Sequence, residues 1–123
     1  MENKYGVKLD LNGYAPSIVQ SDADVACALC VANGCADPLN RHEIFGGAYR
    51  AKSKALGLWV SLCHAQCHQL GRHAVHNDME VNRALRQRGQ RAAMQAYGWS
   101  TEDFIREFGK NYLEESRCLT EQF

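Results

Sequence analysis

Two closely spaced cysteine pairs constrain this chain more than any other feature. The first pair is Cys27 and Cys30, within CALC, and the second is Cys63 and Cys67, within CHAQC. Zinc takes four nitrogen or sulfur ligands in a tetrahedron, and each pair has the spacing to supply one edge of it. The two pairs therefore predict a structural zinc site that joins two distant parts of the chain.

The sequence leaves the fourth zinc ligand open. Three residues separate the cysteines of the second pair, so His64 or His68 could replace Cys67, and Cys35 lies near the first pair. Buried cysteines can also pack as small apolar side chains without any metal. Ligand spacing in both pairs favours zinc over that alternative.

The N-terminal sequence, MENKYGVKLDLNG, predicts a chain that is not exported. It lacks the basic start and the apolar stretch of a secretory signal, and no window of the sequence is apolar for long enough to cross a bilayer. We therefore expect a cytoplasmic protein with no membrane partner. A reducing cytoplasm keeps thiols free, so this expectation favours metal binding over disulfides for the six cysteines.

The charge of the chain is segregated along its length. The formal net charge is zero, but residues 41–91 hold nine Lys or Arg against three Asp or Glu. The flanking segments are both acidic overall, and the basic stretch holds all five histidines. A polyanion such as nucleic acid is therefore a plausible partner for this part of the chain.

The sequence between 41 and 70 predicts the order strand, strand, helix. RHEIF at 41–45 and the aromatic and β-branched GLWVSL at 57–62 are typical of strands. The intervening GGAYRAKSKA at 46–55 is glycine-rich and then basic, which predicts a loop. CHAQCHQL at 63–70 predicts a short helix that stops by Gly71.

Two further helices are predicted after the last histidine. The first begins at Asn77, with Glu80 in capping-box relation to it, and Gly98 is placed to end it. The second has Ser100 as its cap and Gly109 as its terminator. No repeat or low-complexity segment interrupts this pattern.

A chain of 123 residues is one domain by length, and three segments are expected within it. Residues 1–26 form an extended N-terminal segment with a turn at Asn12 and Gly13. Residues 27–76 form a zinc-bound core, and residues 77–123 form the C-terminal helices. The predicted fold class is α+β.

Clustered histidines point to chemistry on phosphate. Phosphodiester hydrolysis needs a base for water and a cation for the charge that develops on the phosphate and the leaving oxygen. A neutral imidazole suits both tasks, because its pKa lies near neutrality. His42, on the first predicted strand, is the candidate base and could face His68 across one cleft. His68 and His76 are the candidate ligands of a catalytic metal.

Several short sequence motifs, taken in their order along the chain, resemble the HNH branch of the His-Me finger nucleases. The chain is similar to small phage and prophage proteins related to recombination-enhancement nucleases. The motifs are YAPSIVQ, CALC, RHEIFGG with a basic loop after it, GLWVSLC, CH at 67 and 68, VH at 75 and 76, and FGKNYL. This resemblance implies a small zinc-stabilised ββα-metal core with additional C-terminal helices.

The resemblance also implies an activity, that of a metal-dependent DNA endonuclease or nickase. His42 would be the general base, the two cysteine pairs would hold structural zinc, and His68 would help to bind one divalent metal, Mg²⁺ or Mn²⁺. DNA is the implied substrate, and a recombination or phage replication protein is a further candidate partner. The implied location is the cytoplasm of a bacterium or of a phage-infected host.

Three features depart from the family pattern. Arg41 stands where many members place an Asp or His metal ligand, residues 46–62 contain no Asn, and CxxxC replaces CxxC. His76 or Glu43 could then supply a metal ligand, while Arg41 and Arg50 could contact phosphate.

Two other functions are compatible with the sequence. A catalytically degenerate zinc module could dock on nucleic acid or on a protein. In a small interaction protein, the basic helix that carries Arg83, Arg86, Arg88 and Arg91 would be a solvated face.

Overall fold

A computed structural model describes residues 1–30, 37–72 and 74–113 of the chain. Cys35, His73 and the end of the predicted C-terminal region lie outside the described residues. The described elements are β1 (Leu39–Glu43), a 3₁₀ turn (Gly47–Tyr49), α1 (Arg50–Ala55), β2 (Trp59–Cys63), a π-helix (His64–Gln69), α2 (Met79–Tyr97) and α3 (Thr101–Phe108). The predicted α+β class is thus confirmed, with one small sheet among the described residues.

The sheet is an antiparallel pair of strands in which β1 carries a histidine and β2 carries a cysteine. His42 pairs with Val60, and Leu39 pairs with Cys63. Every residue of β2 is buried, whereas only His42 is buried in β1. The two predicted strands are confirmed with shifted bounds. Their pairing brings the end of β2 beside the start of β1.

The connection between the strands is helical, so the prediction of a loop at 46–55 was wrong. Ala, Lys and Arg in RAKSKA are good helix formers, but six residues are too few to show a helical period. Ser53 of α1 is fully buried; its Oγ donates to the Leu58 carbonyl at 2.6 Å and accepts from the Phe45 N–H at 3.2 Å. These two hydrogen bonds attach α1 to the residues that follow β1 and to those that precede β2.

The short helix predicted after β2 is a π-helix. The N–H of Leu70 donates to the Ala65 carbonyl at 2.7 Å, which closes a wider turn than an α-helix has. Single π turns occur often at functional sites. This one begins directly after Cys63 and carries Cys67 and His68.

The helix α2 starts at Met79 rather than at the predicted Asn77. Asp78, rather than Asn77, is its N-cap, and the Asp78 carboxylate accepts from the N–H of Glu80 and of Val81. The Asn77 side chain instead donates to the carbonyls of Gln69 and Gly71, both at 3.0 Å. Asn77 therefore ties the turn before α2 to the end of the π-helix.

The ends of α2 and α3 follow the predicted signals. Gly98 and Gly109 adopt positive φ angles of 67° and 82°, which side chains other than glycine rarely adopt. Ser100 and Asp103 form a complete capping box at the start of α3. The short α3 buries Phe104 and Phe108 in the hydrophobic core.

The N-terminal segment is made of turns rather than of the predicted extended structure. Its one described pairing is an isolated bridge between Glu2 and Lys8, although the predicted turn is present, with the Gly13 N–H bonded to the Asp10 carbonyl. Later in the segment, buried Gln20 accepts from the Ser61 N–H at 2.8 Å. The segment thus lies along the free edge of β2. In the described part of the chain, every helix is too short or too polar to cross a bilayer.

Candidate metal sites

The side chains of Cys27, Cys30, Cys63 and Cys67 converge on one point. Their sulfur atoms lie within 4.8 Å of one another, and Cys30 Sγ is 3.6 Å from Cys63 Sγ. A tetrahedron with Zn–S bonds of about 2.3 Å has S–S edges of about 3.8 Å. The cysteine cluster could therefore hold a metal ion such as zinc.

Three different pieces of backbone position these sulfurs. Cys27 and Cys30 follow the segment that lies along β2, where the Ala28 N–H donates to the Ser61 carbonyl at 2.8 Å. Cys63 ends β2, and Cys67 lies inside the π-helix. The cluster consequently joins the N-terminal segment, the sheet and the helix after it.

Backbone donors around Cys27 favour its thiolate, the form that binds zinc. Burial alone would raise the pKa of Cys27, but backbone N–H groups, among them those of Cys30 and Leu29, outweigh it and lower this pKa to about 7. Burial raises the pKa of Cys63 to about 11 and raises that of Cys67 as well. A bound cation is what would allow such buried neighbours to ionise together.

The alternatives for the fourth ligand fall in different places. The Cys67 sulfur lies with the other three, whereas His64 Nδ1 is 2.6 Å from Asn40 Oδ1 on the protein surface. His68 belongs to a second cluster, and Cys35 lies outside the described residues. Within the described residues, four thiols thus complete the first group without an imidazole.

The second cluster consists of His42, His68 and His76. Their nearest ring nitrogens lie within 4.8 Å of one another, and the ring centroids are 4.8–5.3 Å apart. Each histidine comes from a different element: β1, the π-helix and the turn before α2. His42 is buried, His68 is half-buried and His76 is exposed, so the cluster opens to solvent on one side.

His42 carries an unpartnered ring nitrogen. Its side chain is 7% exposed, and its buried Nε2 has no hydrogen-bond partner among the described residues. A buried polar atom without a hydrogen-bond partner costs folding free energy, so we expect a bound water, metal or substrate group to contact this nitrogen. Burial, followed by the neighbouring rings of His68 and His76, lowers the pKa of His42 to about 4. The ring is consequently neutral at physiological pH and can accept a proton or bind a metal.

The three histidines line a cavity of about 430 Å³, which is called the histidine cavity below. Arg41 and Arg50, the predicted phosphate contacts, both line it, as does Glu43. Glu43 is not part of the histidine group, so His76, and not Glu43, joins the other two rings. Among the described residues, the histidines and cysteines form two groups with no shared member.

Both predicted phosphate contacts already have carboxylate partners. Arg41 Nη1 is 2.6 Å from Asp10 Oδ2, and its guanidinium lies over the rings of Tyr14 and Trp59, at 4.5 and 4.7 Å from their centroids. Arg50 Nε donates to Glu43 at 2.5 Å. Both arginines line the cavity, and a substrate phosphate would have to compete with these carboxylates for them.

Sequence reasoning missed several residues at this site. Asn40 Oδ1, an acceptor, lies 2.6 Å from His64 Nδ1 and 3.5 Å from His68 Nδ1; the two-residue spacing of Asn40 from His42 on a strand would have predicted a shared face. Asn82 and Arg86 of α2 also line the histidine cavity. They are four residues apart, the helical spacing that places two side chains on one face.

No protein-family model, no curated protein and no solved structure matches this chain. The two clusters and the charge around them are therefore the observations that bear on function.

Proposed function

We propose that this protein is a metal-dependent DNA endonuclease or nickase with a ββα-metal type of site. A divalent metal would bind at the histidine cluster, and a structural zinc would bind at the cysteine cluster. The observation that carries the proposal is the convergence of His42, His68 and His76 in one solvent-open cavity with arginines in its wall. The basic charge of residues 41–91 suits a phosphodiester substrate.

In this proposal His42 is the general base. Its ring is neutral and its buried nitrogen lacks a partner among the described residues, so it can take a proton from a water that attacks the phosphate. His68 and His76 hold the divalent metal, which when bound stabilises negative charge on the phosphate and the leaving oxygen. The exposed His76 leaves that side of the cavity accessible to a large substrate.

A cleavage assay tests the activity. Purified protein is incubated with plasmid DNA and Mg²⁺ or Mn²⁺, and nicked and linear products are quantified. We expect His42→Ala to lower the rate at least a hundredfold, as for loss of a general base. The matched control is His64→Ala, which removes a histidine that lies outside the cluster and on the surface. Equal cleavage by wild type and His42→Ala would remove His42 from the mechanism.

A metal-binding experiment separates the base from the ligands. Calorimetric titration of zinc-loaded protein with Mn²⁺ should show weaker binding for His68→Ala and His76→Ala, by about tenfold or more each. His42→Ala should retain most of the affinity. If His42→Ala loses Mn²⁺ as fully as the other two variants, His42 is a third ligand and the proposed base is wrong.

A second candidate function is a zinc-dependent module that binds nucleic acid or a protein without cleaving. The commitment of Arg41 and Arg50 to Asp10 and Glu43 favours it, because these two cations of the cavity wall are neutralised within the protein. The absence of an Asn in residues 46–62 favours it as well. Tight, salt-sensitive DNA binding with no cleavage under any divalent metal would support this function over the nuclease.

A further inference from the structure

A second, smaller cavity adjoins the histidine cavity along α2. It measures about 190 Å³, and its lining includes Arg83, Arg86, Lys110 and Tyr112. Asn82 and Arg86 line both cavities, so the two are neighbours that share a wall. This second space is called the α2 cavity below.

Arg86 differs from the other arginines that line these spaces. Arg41, Arg50 and Arg83 each contact a carboxylate, whereas no ion pair is described for Arg86 among residues 1–30, 37–72 and 74–113. Its guanidinium lies over the Tyr112 ring, 5.4 Å from the centroid. Its Nε is buried and has no hydrogen-bond partner among the described residues. A buried N–H that lacks an acceptor calls for one, and an oxygen of a water or of a bound phosphate can supply it.

Arg86 also borders the histidine cluster. Its side chain lines the same cavity as His42, His68 and His76. The ring of Tyr112 on one face restricts where the guanidinium can lie. A planar, preorganised guanidinium is the side chain best suited to bind phosphate through two N–H groups.

We propose that Arg86 binds a backbone phosphate of the DNA strand and that the α2 cavity receives the stretch of backbone next to the scissile phosphate. Lys110 also lines that cavity, as does Arg83, which is paired with Glu80. The position of this backbone stretch next to a cleaved phosphate rests on the proposed nuclease function. The binding of phosphate at Arg86 does not depend on cleavage. The strand would run from the histidine cavity, past Arg86, towards Lys110 and Tyr112.

The first experiment measures DNA binding in the absence of added divalent metal. Zinc-loaded His42→Ala protein and fluorescent single-stranded DNA are titrated by anisotropy at several salt concentrations. Adding Arg86→Gln should weaken binding about tenfold and reduce the salt slope by about one, as expected for loss of one phosphate contact. The matched control is Arg91→Gln, which removes the same charge from an exposed position of the same helix and should change binding less than about twofold.

A second measurement does not depend on a charge-removing variant. The Arg86 Nε–H signal in a ¹H–¹⁵N spectrum, assigned with Arg86→Lys, should shift when a dinucleoside monophosphate is added. It should shift at lower concentration than the Nε–H signals of the other arginines. Arg86→Lys keeps the charge but lacks the two-pronged geometry, so its DNA affinity should fall between those of wild type and Arg86→Gln.

The outcomes separate this inference from the proposed function. Equal weakening by Arg86→Gln and Arg91→Gln, or an unmoved Arg86 Nε–H signal, would overturn the phosphate site. Arg86-dependent binding without cleavage under any metal would leave the phosphate site standing and remove the nuclease. Cleavage that depends on His42 but is insensitive to Arg86→Gln would keep the nuclease and overturn the phosphate site.

Discussion

At the scale of single residues, hydrogen bonds join three side chains in the wall of the histidine cavity: Tyr14, Glu43 and Arg50. Glu43 accepts from the Tyr14 hydroxyl at 2.7 Å and from Arg50 at 2.5 Å. Burial would raise the pKa of Glu43, but these two donors outweigh it and keep this pKa below its usual range. Glu43 is thereby an ionised anchor for two neighbours.

Tyr14 gives a test of this anchor. Burial, and then donation to the Glu43 carboxylate, raise the pKa of Tyr14 to about 12. A tyrosine of the unfolded chain ionises near pH 10, so between about pH 10 and 12 the unfolded chain releases a proton that the folded chain keeps. The stabilisation is thus fully present below pH 10 and is lost as the pH rises through 12.

We expect the free energy of unfolding of wild type to fall relative to that of Tyr14→Phe by about 1 kcal/mol across this window, since solvent screens part of the effect. Denaturant unfolding at both ends of the window measures it. Two curves that run parallel from pH 10 to 12 would show that Tyr14 ionises as it does in the unfolded chain.

The ligand type of the histidine cluster makes a prediction about the metal. Imidazole nitrogen suits transition metals, whereas Mg²⁺ prefers oxygen ligands and retains its waters. If the cluster is catalytic, we expect Mn²⁺ to support cleavage at a concentration about tenfold lower than Mg²⁺. The measurement is the cleavage rate as a function of each metal, with His64→Ala protein as the control. Equal midpoints for the two metals would contradict direct histidine ligation.

At the scale of elements, the close approach of α2 to the end of β1 determines where the cavity lies. Gly89, in the middle of α2, would place an added Cβ 3.1 Å from side-chain atoms of both Ile44 and Phe45. Both neighbours are almost fully buried, and Phe45 packs on Phe104 and Phe108. An alanine at this position would therefore force Ile44 and Phe45 to move by a few tenths of an ångström.

Gly89→Ala should consequently destabilise the protein. Helix propensity alone would favour alanine by about 1 kcal/mol, but overpacking of a buried contact costs about 1–3 kcal/mol. We expect a net loss of about 1 kcal/mol in thermal or denaturant unfolding. Ala84→Gly, at an exposed position of the same helix, measures propensity without packing. A stabilised Gly89→Ala protein would mean that Ile44 and Phe45 move aside readily.

At the scale of the whole molecule, the cysteine cluster connects parts of the chain that are distant in sequence. The segment before Cys27, the end of β2 and the π-helix meet at these four sulfurs. The π-helix that carries Cys67 also carries His68, so the two clusters share one short element. Loss of a metal from the first cluster would therefore disturb the second.

Removal of zinc should unfold the core. We expect one zinc per chain, and we expect a strong chelator to abolish near-UV circular dichroism together with zinc release, because a metal bound only by the folded state contributes its binding energy to folding. Cys27→Ser should behave like chelated wild type, whereas His76→Ala should keep its zinc and its fold. Chelated protein that retains its near-UV spectrum would show that the thiols pack without needing metal.

The sequence by itself determined those features that depend on neighbours along the chain. The spacing of the cysteine pairs, the capping box at Ser100, the terminating Gly98 and Gly109 and the existence of two strands are local patterns of this kind. Each is set by a few adjacent residues and their backbone preferences, so each could be predicted without the fold.

Only the tertiary structure decided which distant side chains meet. It brought His76 rather than Glu43 to His42 and His68, paired Arg41 with Asp10 and Arg50 with Glu43, and placed Arg86 at the cavity. It also made a helix of a basic stretch that reads as a loop, through the buried hydroxyl of Ser53. The physical reason is that such contacts depend on the path of the backbone between elements, and no local pattern records that path.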